Sequence, residues 1–208
     1  MKNKKRLLKS TTFNIVISTL LIGLNLFAIL SISYPEGIDA LCAIVCAIVA
    51  DVNAKDENGR TPLHTAASAN HNLTAKILIA RGADVNTKSK GGATALYIAV
   101  EAGHKDMGKL LIAKGSDIHA KKSNGLMPIH CAAILDRKDL AELLIAKGAD
   151  VNAKADAGWP TVWLFDSEKN IPRFGNDGAT PLHLAALRGR KDVADLLVKR
   201  LKRERHQL

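Results

Sequence analysis

Cysteine is nearly missing from this chain: Cys42, Cys46 and Cys131 are the three in 208 residues. Cys42 and Cys46 stand four apart on one helical face, a spacing that suits a metal ion or, less easily, a disulfide. No second pair of ligands lies near them in sequence, so all three cysteines read as small apolar residues. Aromatic residues are scarce too, at 4%. The chain has no glycine-rich phosphate loop, no Gly-x-Ser-x-Gly elbow and no spaced acidic pair outside its repeating units. We expect no catalytic residue, no metal, no cofactor and no small-molecule substrate. A net charge of +10 suggests nucleic acid until it is divided. Residues 1–10 hold five cations and residues 199–208 a net four, which leaves +1 for everything between. A nearly neutral middle offers no basic face to phosphates, so no nucleic acid is expected as a partner.

What the chain does have is a period. Gly59, Gly92, Gly125 and Gly158 follow one another at a constant interval, and Ala83-Asp84-Val85-Asn86, Ser116-Asp117-Ile118-His119 and Ala149-Asp150-Val151-Asn152 keep the same one. The stretches Thr61-Pro62-Leu63-His64-Thr65-Ala66-Ala67 and Thr180-Pro181-Leu182-His183-Leu184-Ala185-Ala186 repeat one motif. In period and motif, residues 37–201 resemble the ankyrin repeat family. The resemblance implies an all-α solenoid of helix-turn-helix units joined by hairpin turns, and non-enzymatic recognition of a protein partner.

One unit can be read from its residues alone. Thr61 caps a helix and Pro62 takes its first position, where the missing N–H is not needed. His64, three residues on, reaches back toward the cap. His64, His130 and His183 share this position in separate repeats, too far apart for one metal ion. Asn70 tolerates the left-handed backbone that ends the helix, and Gly103 and Gly189 hold the same place. Leu73, Ile77 and Leu78 then give a second helix an apolar side. Gly82 stops it, and Ala83-Asp84-Val85-Asn86 leads into the next unit.

In chain order, basic residues 2–9 precede residues 13–32, which carry no charge and are long enough to span a bilayer. We read a single-pass anchor with its amino terminus cytoplasmic. A cleaved signal peptide, cut near Tyr34 after Ser31 and Ser33, is the alternative and would make the protein secreted. Residues 37–55 align with the end of a repeat and are expected to be half of one. Full units follow at 56–88, 89–121 and 122–154. The second lacks the motif's proline and histidine (Ala95, Tyr97), and the third has Met127 for the capping threonine, a loss of about 1 kcal/mol. The next unit opens in register at Gly158 but resumes only at Gly178, so residues 155–174 form an insertion and 175–201 the terminal repeat. Its second helix should run on into the basic tail at 202–208, where cations suit the helix end.

In the family, partner contacts come from turn tips and the exposed side of the first helices. Register places Arg60 and Leu126 at turns, and Ser68, Glu101, Ile134 and Leu135 on first helices. The insertion adds Trp159, Trp163, Phe165 and Phe174, either as anchors for a partner or as a cover over Leu126, Ile134 and Leu135. We expect a membrane-tethered protein-binding module. The alternative is a secreted form acting on host proteins or, through its basic tail, on anionic lipid or nucleic acid.

Overall fold

The computed structural model describes residues 51–156 and 178–206. The chain divides into two compact units, Met1–Asp51 and Val52–Leu208, and every described residue but Asp51 belongs to the second. Among the described residues there are eight helices and no strand. They come in pairs: α1 (Pro62–Ser68) with α2 (Asn72–Ala80), and α3 (Ala95–Ala102) with α4 (Lys105–Ala113). Two more pairs follow, α5 (Pro128–Ile134) with α6 (Lys138–Ala146) and α7 (Pro181–Leu187) with α8 (Lys191–Arg205). No helix among these is long and apolar enough to cross a membrane. The expected anchor at 13–32, the half repeat at 37–55 up to Ala50, and all four aromatics of the insertion lie outside the described residues.

Each first helix opens from an extended residue. Thr61, Thr94, Met127 and Thr180 all lie near φ −90 and ψ 166, within a few degrees. Met127 keeps this backbone without a hydroxyl, so neighbours on the stack impose the geometry that a cap would otherwise favour. Between the helices of a pair the chain passes through the left-handed region, at Asn70 (φ 60), Gly103 (φ 84), Asp136 (φ 57) and Gly189 (φ 66). Asp136 is the least suited of the four, and its short polar side chain makes a cost of about 1–2 kcal/mol tolerable there.

First helices pack on first helices along the array, and second helices on second helices. Small residues make this possible. Ala66, Ala99, Ala132 and Ala185, one per repeat, are at most 1% exposed. Gly108 in α4 shows how close the approach is, since a Cβ there would lie 2.7 Å from Leu140 Cδ2 of the next repeat. The second helices correct one expectation. Leu73 is 57% exposed, while Ile77 is half-buried and Leu78 buried. Leu73 stands where α4, α6 and α8 have Asp106, Asp139 and Asp192, the first-turn position that favours an acid and faces water. The inward place belongs to the following residue, filled later by Met107, Leu140 and Val193.

The stack continues across the insertion. In the first three units the turn closes from Asp56 to Arg60, Ser89 to Ala93 and Lys122 to Leu126, each N–H donating to the later carbonyl at 2.9 Å. The fourth closure joins Ala155 N–H to the Ala179 carbonyl at 3.0 Å. Gly178, at φ +73, takes the place of Gly125 at φ +75. A Cβ on Gly178 would meet the Ala155 carbonyl oxygen, so the two ends of the insertion meet closely. α8 then runs past Leu201 to Arg205, as the missing glycine predicts.

Candidate partner-binding surface

Of the motif's histidines, His64 and His130 are buried in the core and His183 is exposed, and their geometry shows what they do. Thr61 N–H donates to His64 Nδ1 at 3.0 Å, and Thr61 Oγ1 lies 2.9 Å from the same nitrogen. Nδ1 is thus an acceptor, which leaves the ring proton on Nε2 to donate to the Ala93 carbonyl at 3.0 Å. One ring therefore caps its own helix and ties the next repeat. His130 caps its helix likewise, accepting from Met127 N–H at 3.2 Å, but it donates to the Ala153 carbonyl at 2.9 Å, at the end of its own unit. His183 Nδ1 accepts from Thr180 N–H at 3.2 Å. Burial holds His64 and His130 below the ordinary histidine value, against the pull of the carbonyls they face.

Tyr97 replaces the histidine of the second repeat and makes a different link. Its hydroxyl hydrogen-bonds the Cys131 side chain of the next repeat, and Lys122 Nζ sits 5.1 Å above its ring. Thr94 Oγ1 accepts from Tyr97 N–H at 3.3 Å, so the cap survives without the imidazole. Burial raises the tyrosine hydroxyl and pushes the Cys131 thiol up to about 12. A thiol so placed is a packing group and not a nucleophile.

Two further links had a signal in the sequence that went unused. Asn53 and Asn86 each bridge to the next repeat, donating to the carbonyls of Gly82 and Gly115 and accepting from the N–H of Asp84 and Asp117. His119 holds the third such place and is exposed, lacking an amide's paired donor and acceptor. The residue before each second helix also reaches back. His104 Nε2 pairs with the Ser68 carbonyl at 3.0 Å, Arg137 Nη2 with Glu101 at 3.2 Å and Arg190 Nε with Ile134 at 3.3 Å. A basic residue recurring at the repeat interval was the visible clue.

These links leave little reactive surface. Among the described residues no group of three or more His, Cys, Asp or Glu is placed to hold a metal ion. Arg60 and Ser68 of one unit and Glu101 of the next are exposed. Leu126 is not: it is 3% exposed and its apolar side chain packs into the core, whereas Arg60, with the same turn closure, points to water. Ile134 is half-buried and packs against the core, while its carbonyl accepts from Arg190. The apolar patch expected on the third repeat shrinks to Leu135, which is 37% exposed. Trp159, Trp163, Phe165 and Phe174 lie outside the described residues.

Comparison with known families agrees with this geometry. A family model described as "Ankyrin repeats (3 copies)" matches residues 28–122 and again 88–155. A second, "Ankyrin repeat", matches residues 177–202. The first match opens well before Thr61, so it takes in the expected half repeat and also the end of the uncharged run at 13–32. The gap between the matches, 156–176, falls on the insertion. No curated protein matches the chain. Ankyrin repeats indicate a protein–protein interaction module, and the family is generally non-enzymatic. The chain belongs to the ankyrin repeat family.

Proposed function

We propose that this protein is a membrane-tethered recognition module that binds a protein partner along the exposed side of its first helices. One observation supports this above the others. The side chains able to do chemistry, His64, Tyr97, His130 and Cys131, are buried and engaged in links within and between repeats. Ser68 and Glu101 occupy equivalent exposed positions in successive repeats, and Arg60 and Leu135, at other register positions, are exposed as well. A surface of this kind offers contact area without a reaction centre.

Trp159, Trp163, Phe165 and Phe174 of the insertion are aromatics of the type that anchor interfaces, and in this reading they add to the partner's contacts. The tether is the uncharged run at 13–32. A photo-crosslinker placed at Ser68 or Glu101 should trap one and the same protein, and a crosslinker at Lys109 or Glu142 on the second helices should not. Trapping that protein equally from both sides contradicts the assignment. Trp163→Ala should weaken the same crosslink while leaving the melting temperature unchanged. Resistance of the full chain to a carbonate wash of membranes tests the tether separately, and recovery of a soluble form beginning near Tyr34 would favour the secreted alternative.

A further inference from the structure

α2, α4 and α6 each end with one cation, Arg81, Lys114 or Lys147, followed by a left-handed glycine that turns the chain back. α8 has Arg200 and Leu201 in those places and continues to Arg205. The helix dipole acts within the last turn, and the earlier repeats satisfy it with one cation. The overhang carries far more. Arg200 is paired with Glu204 at 3.0 Å, but Lys199, Lys202, Arg203 and Arg205 are exposed and make no ion pair among the described residues. Val198 is 36% exposed. Spacings of four and seven residues put Val198, Lys202 and Arg205 in one row, with Lys199 and Arg203 in the row beside it. Four unpaired cations thus surround an exposed valine on a single helical face.

We propose that this face docks on an anionic phospholipid bilayer. This goes beyond the protein-binding reading and does not depend on it. The cations answer lipid phosphates and carboxylates, and lysine and arginine stems can lie along the boundary while their charges stay in water. Val198 favours the bilayer over nucleic acid, because an apolar side chain gains from the interfacial layer and nothing from a sugar-phosphate backbone. The near-neutral charge of the chain between its ends also gives a duplex no track beyond this one helix end. Each cation near an anionic leaflet strengthens binding roughly five-fold, so four together give on the order of several hundred-fold.

The test uses the full chain with phosphatidylcholine vesicles, with and without phosphatidylserine. Partition is measured by flotation, and amide hydrogen exchange is followed over residues 199–206. Exchange there should slow only on the phosphatidylserine vesicles and recover in high salt. Because the exchange is read at the helix end, insertion of the amino-terminal run does not mask it. Changing Lys199, Lys202, Arg203 and Arg205 together to Gln should abolish the slowing, with melting unchanged. Val198→Ser keeps the charge and should need roughly three- to ten-fold more phosphatidylserine vesicle for the same slowing. Identical exchange on both vesicle types overturns the proposal. So does equal slowing by duplex DNA or polyglutamate, or a Val198→Ser variant whose exchange slows as readily as the parent's.

Discussion

The junction between the first and second repeats and the junction that spans the insertion can be compared bond by bond. In the first, the imidazole of His64 faces the Thr87 carbonyl of its own unit and the Ala93 carbonyl of the next. In the other, His130 faces Ala153 and Ala179. Thr87 and Ala153 stand equally far along the chain from their histidines, whereas Ala179 lies beyond the insertion and Ala93 has no such detour. Elsewhere the same shift recurs. The back-reaching donor is 36 residues from its acceptor for His104 and Arg137 but 56 for Arg190. Turn closure runs from Lys122 to Leu126 in the regular unit and from Ala155 to Ala179 in the interrupted one. Three kinds of contact therefore cross the insertion with one common offset, although the ring proton of His130 goes to Ala153 where that of His64 goes to Ala93. The lesson is that stacking depends on which groups face one another, and separation along the chain matters little. Loop-closure entropy is consistent with this, since each doubling of a loop costs only about 0.6 kcal/mol.

The largest effect should come from removing packing that both kinds of junction share. Leu144 is fully buried in α6, between the regular and the interrupted parts of the stack. Leu144→Ala should lower stability by about 2–5 kcal/mol in chemical denaturation, whereas exposed Lys138→Ala should stay within about 0.5 kcal/mol. Equal losses would mean that the helix faces are misassigned.

Next comes the closure itself. Gly178 and Gly189 both have positive φ, but only Gly178 has no room for a Cβ, while Gly189 faces open space. Gly189→Ala should cost about 1–2 kcal/mol for its backbone alone, and Gly178→Ala measurably more. Matching losses in thermal melts would break the equivalence drawn between the Ala155–Ala179 closure and the regular turns.

Acidification compares the two histidines. The folded-state values of His64 and His130 are lowered, so the unfolded chain binds more protons as pH falls below about 6.5. Their contribution is present above that pH and is lost as pH drops through it toward the folded values. A second proton would go on Nδ1, which would then confront the N–H of Thr61 or Met127. His64→Gln and His130→Gln, each able to keep a cap, should each flatten the stability curve below about pH 6.5. If only His64→Gln does so, the interrupted junction is not held as the regular one is.

The smallest effect should follow from shortening the insertion. Replacing residues 161–174 with a short Gly/Ser link should change stability by about 1 kcal/mol or less. A large loss in the melt would show that the insertion covers the stack, contrary to the three offset contacts.

Much of this was legible in the sequence, for physical reasons. Thr61-Pro62 and Thr180-Pro181 announce helix starts, and recurring glycines announce left-handed turns, because both are local requirements of the backbone. Exposure was harder to read. Leu126 sits at a turn, but its burial comes from packing against the core, which no local pattern records. Leu73 is apolar and so reads as inward, although its alignment with Asp106 and Asp139 points to water. His104, Arg137 and Arg190 read as charges, while in the fold they matter as donors to carbonyls one repeat away.

The meeting of Ala155 and Gly178 also bears on heredity. A segment whose ends touch where a tight turn would sit can be lengthened, shortened or rewritten by mutation with little penalty to the host stack. Selection on folding is then confined to the periodic residues, and the segment between is left to drift or to adapt by itself. Lineages of this protein should therefore preserve the alanines and histidines of the core while residues 157–177 diverge in both length and composition.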